Sequence, residues 1–182
     1  MREAKRHARR DFIRLAAVAA SGLIAAPAFA MPLLPPKRFV SFHHIDTGES
    51  LSVEYFENGQ YLPDAASRIA HVLRDYRADE AHPIDPKLLD LLSRLHDSLG
   101  AGAPFTVICG YRSPATNAMR RAETKGVAAN SLHMEGRAID LRVPGIRLGA
   151  VRKAAIALKA GGVGYYPRSD FVHLDVGPVR HW

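Results

Sequence analysis

A chain of 182 residues suits one domain around a single hydrophobic core. Its formal charge of +7 is concentrated at the front: residues 1–30 hold six of the 25 Lys and Arg and two of the 18 Asp and Glu, leaving 19 against 16 over the next 152 residues. That near balance, without a Lys/Arg stripe interleaved with aromatics, excludes a nucleic-acid footprint, and a lone cysteine, Cys109, excludes an intramolecular disulfide.

The chain opens with Arg2, Lys5, Arg6, Arg9, Arg10 and Arg14, then an apolar run from Leu15 to Phe29 that ends in Ala28-Phe29-Ala30. A basic region, a short apolar stretch and a small-x-small site define an export signal on residues 1–30, since the run is shorter than the roughly 20 residues that cross a bilayer. Arg9-Arg10-Asp11-Phe12 resembles the twin-arginine motif read by the Tat export machinery, with cleavage expected near Ala30 and a periplasmic destination. An ordinary Sec signal and an uncleaved anchor are the alternatives. Residues 31–37, rich in proline, read as an extended linker, and 38–182 as the folded domain, with no stable membrane span in the mature form.

Arg38–Ile45 and Leu51–Phe56 alternate like a hairpin around Asp46-Thr47-Gly48-Glu49, and Asn58-Gly59 marks a second turn. Ile69, Val72, Leu73 and Tyr76 recur at helical spacing within Asp64–Tyr76. Pro86–Leu99 reads as a helix with Asp85 as N-cap, a Leu stripe for the core and Gly100 as its stop. Phe105–Cys109 is a strand in which Cys109 packs as a small hydrophobe. Ser113-Pro114 opens a short helix, and Arg147–Lys159 is the last helix, closed by Gly161-Gly162. These elements make an α+β domain.

Two short segments carry chemistry. Ser131-Leu132-His133-Met134-Glu135-Gly136-Arg137-Ala138-Ile139-Asp140 is answered by Asp170-Phe171-Val172-His173-Leu174-Asp175. Two histidines and carboxylates are the parts of a hydrolytic zinc site, where three protein ligands leave one tetrahedral position open for water. Strand side chains alternate faces, so if Ile139 and Leu141 and, in the other strand, Val172 and Leu174 face the core, Asp140 and His173 both face away from it. His133 has the opposite parity to Asp140, and Gly136 between them permits the bend that returns His133 over the sheet.

Ser131-x-His133-x-x-Gly136-x-Ala138-x-Asp140 followed by Asp170-x-x-His173-x-Asp175 resembles the zinc D-alanyl-D-alanine peptidases and murein endopeptidases of the hedgehog/DD-peptidase fold. Gly110-Tyr111-Arg112-Ser113-Pro114 and the stretch Asp175–Trp182 make the chain most similar to the murein endopeptidase K group. The resemblance spans about residues 38–182. It implies a single domain with an antiparallel sheet and flanking helices, and one Zn2+ per chain held by His133, Asp140 and His173. It further implies Asp170 as general base, and Arg112 and Ser131 as substrate contacts. The implied substrate is the peptide stems of peptidoglycan, hydrolysed at their cross-links.

Many relatives end in His-x-His where this chain has His173-x-Asp175, which leaves Asp175 as a buttress. Glu135 is the second candidate for the base, and His181 a candidate support for the site. His43, His44 and His96 lack a carboxylate framework and read as structural. A non-catalytic wall-peptide binding module of the same fold and a D-Ala carboxypeptidase are the alternative functions. Replacing Arg9 and Arg10 together by Lys is expected to block delivery to the periplasm, measured as processed protein in that compartment; unchanged delivery would assign the signal to Sec.

Overall fold

The computed structural model describes residues 37–124 and 126–182. The expected signal and residues 31–36 of the expected linker lie outside the described residues. Strand β1 (Lys37–His44) begins one residue ahead of the expected domain start, and its alternation puts Arg38, Val40, Phe42 and His44 on the buried face. β1 pairs antiparallel with β2 (Ser50–Glu57). Asn58 and Gly59 both take positive φ, 50° and 82°, which turns the chain tightly into β3 (Gln60–Tyr61). Arg38, although buried, is compensated. Its guanidinium lies 3.3 Å from the Phe56 ring centre and pairs with Asp90, which also accepts from the Tyr55 and Tyr61 hydroxyls at 3.0 and 2.8 Å.

Helix α1 (Pro63–Val72) stops earlier than the periodicity of Asp64–Tyr76 suggests. The Leu73 carbonyl accepts the Tyr111 N–H at 2.7 Å, and the buried Asp75 carboxylate accepts from the Ser113 and Arg77 backbones at 2.9 and 3.1 Å. These tertiary partners take groups that further helical turns would use. Helix α2 (Pro86–Leu99) runs as expected. The Asp85 side chain accepts the Lys87 N–H at 2.9 Å, and Gly100 closes it with φ 56°. Leu88, Leu92 and Leu95 are fully buried, each contributing about 1.5–3 kcal/mol of hydrophobic stabilisation.

β4 (Phe105–Cys109), α3 (Pro114–Glu123), a 3-10 turn (Leu132–Glu135), β5 (Ala138–Arg142), α4 (Leu148–Ala157), β6 (Gly162–Tyr166), β7 (Phe171–Asp175) and β8 (Arg180–His181) complete the order. The strands form one sheet in the order β3-β2-β1-β4-β5-β7-β6-β8. The sheet is mixed rather than wholly antiparallel, because β1 pairs parallel with β4 and β6 parallel with β8. The β1–β4 connection carries α1 and α2, the kind of crossover that parallel pairing requires. β6 begins at Gly162, where sequence patterning suggested a helix stop, and β8 lies where it assigned no element. Their strand residues include Gly162 and Gly164, which weaken any propensity signal.

The core joins α1, α2 and α4 to the sheet through Ile69, Leu92, Val151, Phe42, Val107, Ile139 and Val172 among others. The opposite face of β5 and β7 is left for polar side chains. No helix among the described residues is long and apolar enough to cross a membrane.

Gly136 joins these two halves. Its φ is 64°, its carbonyl accepts the Asp85 N–H at 2.9 Å, and a Cβ there would run into the Pro83 carbonyl. Gly136→Ala is expected to lower stability by about 1–3 kcal/mol, from strained φ and overpacking together, read as a drop in the midpoint of thermal or urea unfolding.

Candidate metal centre and substrate cleft

Three elements converge on one cluster. β5 and β7 are antiparallel with Asp140 directly opposite His173. The His173 Nδ1 lies 2.8 Å from the Asp140 Oδ1, as strand parity anticipates. His133 arrives from the 3-10 turn, whose end at Gly136 in the left-handed conformation supplies the expected bend. His133 Nε2 is 3.3 Å from the same Asp140 oxygen and 3.2 Å from His173 Nδ1.

The far side of each ring is fixed. His133 Nδ1 lies 2.7 Å from the Gly110 carbonyl, which only accepts, so Nδ1 carries the proton and Nε2 a lone pair. Gly110 is required there because a Cβ would meet the backbone of Leu73, with Leu73 Cβ at 2.8 Å. His173 Nε2 lies 3.1 Å from Asp175 Oδ2, so Nε2 donates and Nδ1 faces the cluster bare. Two lone pairs and a carboxylate oxygen therefore point at one another in a dry environment, with His133 2% and Asp140 8% exposed. With both imidazoles neutral the three atoms would repel one another, so the arrangement calls for a positive charge among them, either a proton on His133 or a metal ion.

The ionisation of the cluster follows. Burial alone would depress His133 and raise Asp140, but their mutual attraction outweighs it, lifting His133 well above the usual imidazole value and holding Asp140 below the usual carboxylate range. Asp175 is fully buried. Burial would raise it, but hydrogen bonds from His173, Arg180 and the Gly177 and Gly162 backbones hold it low.

Cys109 is not packed as a core thiol. Val107 faces Leu141 and Cys109 faces Asp140, and the register shift between them is a bulge that turns Cys109 away from the inward set of Phe105 and Val107. The thiol is half-buried, and its sulfur lies with donor atoms of His133 and Asp140 inside a 4.8 Å group. A second donor triad thus overlaps the first. The contacts of 2.8–3.3 Å that include His173 are the tighter set, and they match a metal ion's first coordination layer better. A bulge leaves no signature in an apolar run, so sequence alone does not reveal this position.

A cleft of about 440 Å3 opens over the triangle, lined among others by Arg112, Arg120, Ser131, Tyr166 and Trp182. Arg112 is 7% exposed, gives one hydrogen bond to Ser131 Oγ at 3.0 Å, and its buried Nε has no partner. Among the described residues no carboxylate forms an ion pair with it. A buried guanidinium without a counter-charge is costly unless an anionic or carbonyl oxygen arrives from outside.

Asp170 stands apart from this group. It lies at the strand lip with φ 53°, is 63% exposed at its side chain and pairs with Arg142 at 3.1 Å, and it does not line the cleft. Glu135 is exposed and pairs with Arg137 at 2.9 Å. His181 is exposed on β8 and does not line the cleft. His44 is buried against Tyr76, His96 packs edge-on against Phe105, and His43 bonds Ser50, all away from the cluster.

Comparison with known proteins identifies the family of the chain. The family model described as peptidoglycan L,D-endopeptidase MepK matches residues 34–182. The chain is 45% identical over 175 residues to the peptidoglycan L,D-endopeptidase MepK of Escherichia coli K12, covering 96% of each chain, and equally similar to that of Shigella flexneri. A probable peptidoglycan L,D-endopeptidase MepK of Haemophilus influenzae is 44% identical over 154 residues, 84% of this chain and 83% of the relative.

His133→Ala and His173→Ala are each expected to abolish stoichiometric metal binding by elemental analysis, while Cys109→Ser retains it. Affinity should fall as pH drops, because protons compete for His133 and the competition begins above the usual imidazole value. A titration showing metal lost in Cys109→Ser but kept in His173→Ala would move the site to the second triad.

Proposed function

This chain belongs to the peptidoglycan L,D-endopeptidase family, and we propose that it is a zinc-dependent endopeptidase that hydrolyses peptide cross-links of bacterial peptidoglycan in the periplasm. The observation that carries this reading is the triangle of His133 Nε2, Asp140 Oδ1 and His173 Nδ1, with sides of 3.3, 2.8 and 3.2 Å. Ligands at the usual zinc distance of about 2.0–2.1 Å in a tetrahedron stand about 3.3–3.4 Å apart, so the triangle has the dimensions of one tetrahedral face. All three residues that would hold the ion line the cleft. A bound Zn2+ supplies Lewis acidity and brings the pKa of water from about 15.7 to about 7.

The chain's own residues supply the rest. Arg112 offers its free guanidinium edge to a carbonyl or carboxylate oxygen of the bound peptide, and the Ser131 hydroxyl, which already accepts from Arg112, holds it in place. Asp170 is the proposed general base. To reach the reacting water it leaves Arg142, a half-exposed partner whose hold is weak in solvent. Asp140 and Asp175 are the carboxylates that line the cleft, and both are engaged with the histidines.

The intact donor set favours hydrolysis over a passive binding module, and the names of the relatives favour endopeptidase over carboxypeptidase action. Export through the twin-arginine route, with cleavage near Ala30, places the enzyme beside its substrate.

Asp170→Asn is expected to keep zinc and fold while cutting release of cross-linked fragments by about 10²–10⁴-fold, since the amide cannot take the proton. Chromatography of digested wall material, run beside zinc analysis, measures both. Near-normal turnover would assign the base elsewhere, and absence of cleavage by zinc-loaded wild type would support the binding-module reading.

A further inference from the structure

Behind the triangle lies a second layer of contacts built by the chain's final strand. Asp175 is wholly buried, yet it receives five hydrogen bonds. The backbones of Gly162 and Gly177 donate to Oδ1 at 3.1 and 2.8 Å. Arg180 grips both oxygens, Nη1 to Oδ1 at 3.1 Å and Nη2 to Oδ2 at 2.7 Å. The fifth donor is His173 Nε2, at 3.1 Å from Oδ2.

Space for this arrangement is cleared by glycine. A Cβ on Gly162 would meet Asp175 Oδ2 and, at 2.6 Å, Arg180 Nη1, and one on Gly177 would come within 3.0 Å of Asp175 Oδ1. Arg180 is itself held in place. β8 pairs with β6 through Gly162 and Arg180, Nη1 also donates to the Pro178 carbonyl at 2.9 Å, and the guanidinium lies 5.1 Å from the Trp182 ring centre. The Trp182 ring in turn stands 5.5 Å from the His173 ring, with its indole N–H donating to the Tyr166 hydroxyl at 2.9 Å.

The consequence is geometric. A guanidinium fork fixes the plane of the carboxylate it grips, which one rotatable charge does not. With that plane fixed, Oδ2 presents one direction to His173, and the ring donates from Nε2 and turns Nδ1 toward the triangle. Without the fork, the two backbone donors still hold Oδ1 but Oδ2 is free to swing about them, and His173 loses what selects its tautomer and its ring orientation.

We propose that Arg180 is a positioning residue that sets the metal affinity of the centre, acting through Asp175 to hold His173 with Nδ1 toward His133 and Asp140. The inference rests on the metal reading above. Arg180 touches neither the ligand triangle nor, by this assignment, the reacting atoms. Two influences oppose each other here: the positive charge of Arg180 works against a nearby cation, whereas its fork orders the ligand. The ordering is assigned the larger effect because the charge is spread over a guanidinium already paired with Asp175 and 44% exposed.

Arg180→Lys and Arg180→Met separate fork from charge. Zinc dissociation constants are measured by competition with a chromogenic chelator, the visible spectrum is recorded with Co2+ in place of zinc, and unfolding of the metal-free protein is followed for each variant. Both variants are expected to bind zinc about 10–100-fold more weakly than wild type, with an altered Co2+ spectrum and a folded metal-free state. Wild-type affinity in Arg180→Lys would overturn the proposal, because charge alone would then suffice; if Arg180→Met does not fold, Arg180→Lys decides. Wild-type protein that binds no zinc would overturn the metal reading and this inference together, whereas zinc binding at wild-type affinity by both variants overturns this inference alone.

Discussion

Three donor atoms held within 3.3 Å of one another stay together only with a positive charge among them, a proton or a metal ion, and most of what surrounds the β5–β7 pair serves to impose the arrangement. Each donor is turned inward by a group that occupies its other side. The Gly110 carbonyl takes the His133 Nδ1 proton, Asp175 takes the His173 Nε2 proton, and the β5–β7 register sets Asp140 opposite His173. The fold thereby selects which nitrogen of each imidazole is available. The same preorganisation explains the close approaches. Gly110 lies against Leu73, Gly136 against Pro83 and Gly162 against Asp175, each at a place where a side chain would push a ligand away.

The cleft extends that logic from metal to substrate. Arg38, Arg142 and Arg152 also bury an Nε without a partner, but of these arginines Arg112 is the one that lines the cleft, where an oxygen from outside can reach it. Ser131 both caps the 3-10 turn that carries His133, at 3.4 Å from its N–H, and receives Arg112, so the proposed ligand and the proposed substrate contact are adjusted together. A displacement of that turn would be felt at both.

Much of this was legible in the residue pattern, for reasons that differ by element. Strand alternation alone places Asp140 and His173 on one face, because a period of two leaves no choice once the apolar set faces the core. Asp85, Pro86 and Gly100 bound α2 because capping chemistry is local. The failures are tertiary. α1 ends early because Tyr111 takes the Leu73 carbonyl, a partner 38 residues away in sequence. Cys109 changes face at a bulge that no local pattern marks. β6 hides because its glycines are there for clearance against Asp175 and Trp182, which propensity reads as weakness, and β8 because two residues are too short a run to alternate. Asp170 keeps the spacing of a base, and its pairing with Arg142, a neighbour only in the folded sheet, is a contact that spacing does not reveal.

The ligand triangle draws on residues separated by as many as 40 positions, and its support reaches to Arg180. No short loop brings these donors together, unlike the compact ligand spacings of small zinc modules that are unfolded without their metal. Chain closure over that separation precedes any gathering of the donors, so a cation here meets a finished sheet instead of nucleating one. A cation that needs all three donors finds them only where β5 and β7 have paired, and none of the three lies on α2, β1 or β4, which carry much of the core.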